Sequence, residues 1–342
     1  MPELGKVDRA FFDEYIYPHL GADRDDVRLG PQHGVDFGVV DVGEQVLALA
    51  TDPIFVMPSL GFERAAWFAV HILMSDVAVS GLPPTHLSVD FNLPPEITDE
   101  EFATVWQTFD REGREFDVAV ATGHTGRYEG CNYPMVGGGT ALSVGDPENL
   151  VRPDGARPGD RVIITKGPAI EATGLLSIQF ESLMRGEVAD DDVDAAMERF
   201  YDMSPVQDAL TAAAAGPVTA MHDATEGGVY GGLFEMARAA GVGIEIERDR
   251  VPVLPGVAAA GDFFDIDPWI SISEGTLLAT VDPVGVDGVL AALDDEGIPA
   301  AEVGEVTDGS GLVVDGESVD HPGFDPFWVA FAEHMEKLQS GD

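Results

Sequence analysis

The chain has 342 residues, with 62 Asp and Glu against 18 Lys and Arg, and a formal net charge of −44. That length suits two domains, each able to bury a core of its own, and 45% hydrophobic residues fit a folded chain better than a disordered one. The charge excludes nucleic acid and an anionic membrane as partners, because phosphate surfaces are held by clustered Lys and Arg and this chain has three lysines in all: Lys6, Lys166 and Lys337.

The first half alternates strand-like and helix-like segments. Residues 44–57 form an apolar run suited to a buried strand, 62–80 carry apolar residues at helical spacing, and 82–93 read as extended. A helix over 98–115 opens on Thr98-Asp99-Glu100-Glu101, a capping-box pattern with acids in its first turn. Strands over 117–121 and 135–144 complete an α/β domain. The Gly-, Pro- and Asp-rich stretch 145–160 reads as the boundary. Beyond it come a strand at 161–165, a helix at 171–185, a strand at 218–221, a helix at 227–240, strands at 242–247 and 275–281, and a helix at 286–296. The domains are therefore expected at 1–148 and 159–342.

Because most of the 62 acids must be solvated, spread along the chain as in proteins of salt-loving organisms, only acids in apolar or Gly-rich settings are candidates. Asp76 stands among Ile72, Leu73, Met74, Val77 and Val79, either as a ligand-binding acid or as a helix cap before Gly81. Asp52 ends an apolar strand, where a ligand is commonly met, or makes an Asx turn before Pro53. Residues 121–127, Ala-Thr-Gly-His-Thr-Gly-Arg, read as a Gly-rich loop after a strand, able to cradle a phosphate or to serve as an ordinary turn. Gly137-Gly138-Gly139 more often mark a close strand crossing. His222-Asp223-Ala224-Thr225-Glu226-Gly227-Gly228 lies between a strand and a helix, where backbone N–H groups can face an anion or acids can cap the helix. The stretch 271–276 sets Glu274 before a strand. A P-loop and a dinucleotide-binding Gly-x-Gly-x-x-Gly turn are both missing, so separated acids bracketed by Gly and Thr remain, as where Mg²⁺ joins carboxylates to a polyphosphate.

Six motifs in order, Gly34-Val35-Asp36-Phe37, Thr51-Asp52-Pro53, residues 75–81, Gly123-His124-Thr125, residues 223–228 and residues 273–278, resemble the superfamily of aminoimidazole ribonucleotide synthetase, hydrogenase maturation factor E, selenophosphate synthetase and thiamine-monophosphate kinase. The pattern is most similar to hydrogenase maturation factor E. The resemblance implies a PurM-like α/β (α+β) fold, with an N-terminal ferredoxin-like domain that pairs with its twin in a homodimer and a C-terminal α/β domain. It implies ATP held without a P-loop, with Asp36, Asp52 and Asp76 as Mg²⁺ ligands. Gly123, His124, Thr125, Lys166 and Gly227 would lie near the nucleotide, and Asp223 and Glu274 would be the catalytic acids facing a small substrate. His124 stands where many members have an acid. Lys166 is either a phosphate contact or an ion-pair partner.

The departures are specific. Hydrogenase maturation factor E works on a cysteine at its own C-terminus, whereas this sequence ends Gln339-Ser340-Gly341-Asp342; selenophosphate synthetase needs a Cys or selenocysteine near the N-terminus, and Cys131 is the only cysteine here. Thiamine-monophosphate kinase usually carries paired acids where this chain has Asp36. The reading is thus an ATP- and Mg²⁺-dependent enzyme on a small molecule, with a thiamine-monophosphate kinase-like kinase or a non-catalytic nucleotide-binding regulator as alternatives. A single cysteine fits a reducing compartment, and the absence of a leader-like N-terminus or of an apolar run of about 18 residues points to a soluble, cytoplasmic protein.

Overall fold

The computed structural model describes residues 6–340. The chain forms two compact units: residues 25–30 with 36–150, and residues 6–24 and 31–35 with 151–340. The amino-terminal stretch therefore packs with the carboxy-terminal half. It opens on a short α-helix, α1 (Arg9–Phe11), capped by the Asp8 side chain, which accepts from the Phe11 N–H, and runs on as a π-helix over Phe12–Ile16 and a 3-10 turn over Tyr17–His19.

The unit built on residues 36–150 is one six-stranded sheet with two helices. In chain order it runs β1 (Val27–Leu29), β2 (Gly38–Val42), β3 (Gln45–Phe55), α2 (Phe62–Ala78), β4 (His86–Leu93), α3 (Asp99–Glu115), β5 (Ala119–Arg127) and β6 (Met135–Gly145). The sheet order is β1-β2-β3-β6-β4-β5, antiparallel except for the parallel β4–β5 edge pair. Alternation decides the faces: Val46, Ala48, Ile54, Leu87, Val89, Phe91 and Ala141 are buried, and α2 packs on β3, β6 and α3. The expected capping box forms in full, with Thr98 Oγ1 accepting from the Glu101 N–H at 3.2 Å and Glu101 Oε2 accepting from the Thr98 N–H at 2.8 Å. Gly137 has φ +151, and a Cβ there would run into the carbonyl oxygen of Asp90, so this glycine serves the close approach of β6 to β4.

The second unit holds a seven-stranded sheet, β13-β12-β9-β11-β7-β10-β8, antiparallel except for β12–β9. Its elements are β7 (Arg161–Thr165), α4 (Ile170–Gln179), α5 (Glu181–Met184), α6 (Asp190–Glu198), α7 (Val206–Ala215), β8 (Val218–Asp223), α8 (Gly228–Ala240), β9 (Gly243–Ile246), α9 (Val257–Phe264), β10 (Leu277–Val281), α10 (Val286–Asp295), β11 (Ala300–Thr307), β12 (Gly311–Val314), β13 (Glu317–Val319) and α11 (Phe327–Ser340). Strand β7, Val-Ile-Ile-Thr after its first residue, is buried throughout and lies between β10 and β11. Leu233, Met236 and Ala237 on α8 join Val162, Ile164, Ile244, Leu278 and Val306 in the main core. The helix expected over 171–185 is broken at Phe180, which is fully buried.

Candidate active site

The three acids expected to hold metal lie in the first unit. Asp52 is half-buried inside β3, opposite Gly139 of β6, in continuous strand and not in a turn. Asp76 is half-buried in the last turn of α2, between the buried Ser75 and Val77, so it cannot serve as an N-terminal cap. Asp36 is half-buried two residues before β2. Their carboxylate oxygens do not all lie within 4.8 Å of one another.

Residues 121–127 are not a loop. They continue β5, the sheet's edge strand, whose parallel pairing with β4 runs to Leu93↔Arg127. Thr and Val supply strand propensity, and the glycines are tolerated because Gly123 passes close over Val89. Gly123, His124 and Thr125 are exposed there; His124 Nε2 meets Tyr128 Oη at 2.7 Å, with the two rings stacked. The Arg127 guanidinium donates to Asp99 and to the Ile97 carbonyl.

The second unit holds a deeper group. β8 ends on Asp223, which is fully buried, and neither of its carboxylate oxygens accepts a hydrogen bond. A carboxylate in that setting is unfavourable by several kcal/mol unless a charge or a ligand meets it. Beside it, His222 Nδ1 lies 2.6 Å from the Asp223 carbonyl oxygen and 3.8 Å from Asp223 Oδ1, while Nε2 lies 3.3 Å from Glu235 Oε2 on α8. Glu235 is also approached by Arg238 at 3.5 Å, His33 at 3.8 Å and His321 at 3.9 Å. Burial pushes the Glu235 carboxyl up, but the contact with His222 and the charges of His222, Lys6 and Arg238 outweigh it and bring it to about 2.

Glu274, almost fully buried in the loop before β10, gives its backbone N–H to Glu171 Oε2 at 3.3 Å. Burial, with the charges of Asp325 and Glu226, pushes Glu171 up to about 8 against that N–H and Lys6. Sequence reasoning missed Glu171, which opens α4 like an ordinary first-turn acid; nothing in its neighbours signals that the fold half-buries it. Asp325 was missed for a similar reason. Its Oδ2 accepts the Gly227 N–H at 2.9 Å, so the first donor at the start of α8 is met by the chain's own acid. Burial raises Asp325 to about 6, partly offset by the N–H groups of Gly227 and Phe327.

Two of the lysines differ sharply. Lys166 is buried, and Nζ donates to the carbonyls of Asp202, Ser204 and Gly275 while pairing with Asp208 Oδ1 at 3.0 Å; it ties α7 to the loop before β10. Lys6 is exposed, its backbone N–H on Glu226 Oε2 and its Nζ on Thr225 Oγ1. The amino-terminal segment thus lies along the loop that follows Asp223.

Residues 34–146 match the N-terminal domain, and residues 157–317 the C-terminal domain, of AIR synthase related protein. The chain belongs to the AIR synthase related protein family. It is 30% identical over 298 residues, 84% of this chain and 80% of the relative, to a protein named carbamoyl dehydratase HypE from Rhizobium leguminosarum biovar viciae. It is 30% identical over 340 residues, 88% and 92% of the two chains, to a selenide, water dikinase from Geobacter metallireducens. A solved structure of the hydrogenase maturation protein HypE in complex with ATP aligns with TM-score 0.64 at 23% identity, covering 92% of each chain, a likeness of fold. The PurM-like, HypE-like α/β architecture expected from the six motifs is the one observed, and the relatives bear the names of enzymes. Among the described residues no helix is long and apolar enough to cross a membrane.

Proposed function

We propose that this protein is an ATP- and Mg²⁺-dependent enzyme that activates or phosphorylates a small molecule. The observation that carries the reading is Asp223: a fully buried carboxylate, accepting no hydrogen bond, at the end of a strand in a chain of this family. Such a group is retained where a ligand meets it. Glu274, held beside Glu171, is the second acid of the substrate side.

Asp36, Asp52 and Asp76 offer hard oxygen ligands, and all three are half-buried, which leaves room for water and phosphate oxygens; because their oxygens do not converge on one point, they would serve more than one Mg²⁺ ion, each shared with the polyphosphate. This donor set fits the ion. Bound there, Mg²⁺ would neutralise phosphate charge that a chain of net charge −44 would otherwise repel. Gly123, His124 and Thr125 would then contact the nucleotide from an exposed strand edge, where backbone approach is unhindered. Gly227 and Lys166 would contribute indirectly: Gly227 through the turn that shapes the start of α8, and Lys166 by holding the loop that carries Glu274.

A homodimer is part of the same proposal. On the sheet face opposite the buried alternation, Val40, Leu47, Leu49 and Leu142 are half-buried and Val42 and Val144 exposed, while β5 is an outer strand. A second copy would cover that apolar surface. The test of the catalytic proposal is ADP release from Mg²⁺–ATP in the presence of a metabolite panel first screened by thermal shift. Stabilisation by ATP with ADP release on one class of metabolite is expected; ATP binding with no turnover on any would leave a regulator instead.

A further inference from the structure

We propose that Asp208 is a positioning residue for Glu274, acting through Lys166 and Thr165; this rests on Glu274 being the second acid of the substrate side. Asp208 lies on α7 and is almost fully buried, where a carboxylate is unfavourable unless its oxygens are met. Two consecutive residues at the end of β7 meet them. Oδ2 accepts from the Thr165 hydroxyl at 2.6 Å, and Oδ1 lies 3.0 Å from Lys166 Nζ. Each of those two groups then reaches the segment that carries Glu274.

The relays follow from donor and acceptor counts. A hydroxyl has one proton, and Thr165 gives it to Asp208, so its oxygen is left to accept and takes the Leu277 N–H at 3.0 Å. An ammonium only donates: Lys166 Nζ holds the carbonyl of Gly275 at 3.1 Å, beside those of Asp202 at 3.1 Å and Ser204 at 2.9 Å. One carboxylate thus grips Gly275 and Leu277, on either side of Thr276 and directly after Glu274. Thr276 Oγ1 donates to the Gly167 carbonyl, Ser273 Oγ accepts the Ile170 N–H, and the Glu274 N–H goes to Glu171. The backbone on both sides of Glu274 is therefore fixed, and with it the direction of the side chain.

The local backbone shows the same demand. Gly275 has φ +102, and a Cβ there would lie 2.2 Å from the Asp202 carbonyl oxygen, which Lys166 also holds, so only glycine lets the loop come this close. Lys166 has φ +57 and Ala169 φ +56, left-handed conformations that residues with a Cβ rarely adopt and that persist where the surroundings over-determine them. Stability alone does not call for a buried charge here, since well-packed apolar side chains often serve as well as a buried ion pair. A fixed acid does call for it: charge-assisted bonds to particular backbone atoms set direction, which apolar contacts do not.

The test joins ADP release from Mg²⁺–ATP with the metabolite panel to amide hydrogen exchange read by mass spectrometry, in wild type, Asp208→Asn, Thr165→Val, Thr165→Ser and Glu274→Gln. In Asp208→Asn and Thr165→Val, exchange over residues 273–277 should be at least 10-fold faster, with β12 and β13 unchanged. ADP release should fall at least 10-fold in both, with Kd for Mg²⁺–ATP within about 2-fold of wild type. Thr165→Ser, which keeps the hydroxyl, should restore exchange and release. When Asp208→Asn is combined with Glu274→Gln, release should be no lower than in Glu274→Gln alone, because a residue that acts through Glu274 has nothing left to act on. Unchanged exchange in both variants overturns the proposal whatever the activity. Losses that multiply in the double variant, with Glu274→Gln itself impaired, overturn it and leave the role of Glu274 standing. Wild-type release in Glu274→Gln, or a wild type that releases no ADP, removes that role and the proposal together. If Asp208→Asn fails to fold, the decision passes to the Thr165 pair, in which equal release by Thr165→Val and Thr165→Ser counts against the proposal.

Discussion

The two units treat their acids differently. In the first, Asp36, Asp52 and Asp76 are half-buried, on the approach to a strand, in a strand and in a helix respectively. In the second, Asp223 and Glu274 are almost or fully buried among groups whose charges are strongly coupled, with Glu171 raised to about 8, Asp325 raised to about 6 and Glu235 lowered to about 2. Half-buried oxygens suit a hydrated cation that arrives with its nucleotide, because ion and carboxylates each keep part of their water. Deeply buried acids suit contact with a reacting group, where low dielectric makes each charge count. On the proposed reading, burial and not the abundance of acids separates a binding carboxylate from a chemical one in this chain.

That contrast can be broken most directly at Asp223. Asp223→Asn should lower ADP release by on the order of 10²- to 10³-fold while leaving ATP affinity within a few fold, as for loss of one preorganised charge at a reacting centre; steady-state kinetics beside calorimetric binding measures both. In the first unit the reverse split is expected. Asp76→Asn should weaken Mg²⁺–ATP binding about 10-fold or more, since one carboxylate at a metal–polyphosphate site contributes a few kcal/mol.

A smaller effect sharpens the contrast through pH. Glu171 has a folded-state value of about 8 against an ordinary 4.5, so it binds its proton more tightly in the folded protein. Its contribution to stability is complete below about 4.5 and is lost as pH rises through about 8, by an amount on the order of a few kcal/mol. Glu171→Gln should therefore raise Tm at pH 9 and leave it nearly unchanged at pH 4.5. Equal Tm differences at both values would show that Glu171 does not hold its proton in the folded protein.

Salt should act on the first unit's exposed face. At −44 per chain, association is opposed by a repulsion screened over about 10 Å at 0.1 M salt and about 3 Å at 1 M, so the dimer should strengthen with rising KCl in light scattering. A monomer persisting at molar salt would contradict the dimer; a dimer indifferent to salt would contradict the charge argument. The smallest effect is expected at Cys131, a half-buried residue in a turn: Cys131→Ser should leave turnover and Tm unchanged within error.

Much of the fold was legible because its elements carry local signals. The apolar run of β7, the Thr98 capping box and the helical spacing of α2 each lead to the observed element within a few residues. The edge strand was misjudged at residues 121–127 because two glycines and a histidine read as a turn, while the partner that makes them a strand, β4, lies some 30 residues earlier in sequence. The same non-locality hid the network of the second unit. His33, Glu235 and His321 are far apart in the chain, and nothing near Glu171 or Asp325 shows that the one will be half-buried and the other buried. Asp223 and Glu274 were reached through the ordered motifs of the family resemblance, since the residues beside them allow a helix cap as readily as a ligand contact at Asp223 and give only a weak signal at Glu274.

The central claim is that the chain binds ATP through magnesium ions held by the first unit's acids. Isothermal titration of ATP into the full chain at molar KCl, with Mg²⁺ and again with EDTA, tests it most directly. The account predicts saturable binding with Mg²⁺ that weakens at least 10-fold in EDTA. Absence of binding at millimolar ATP, or affinity unchanged by removal of the metal, would contradict it.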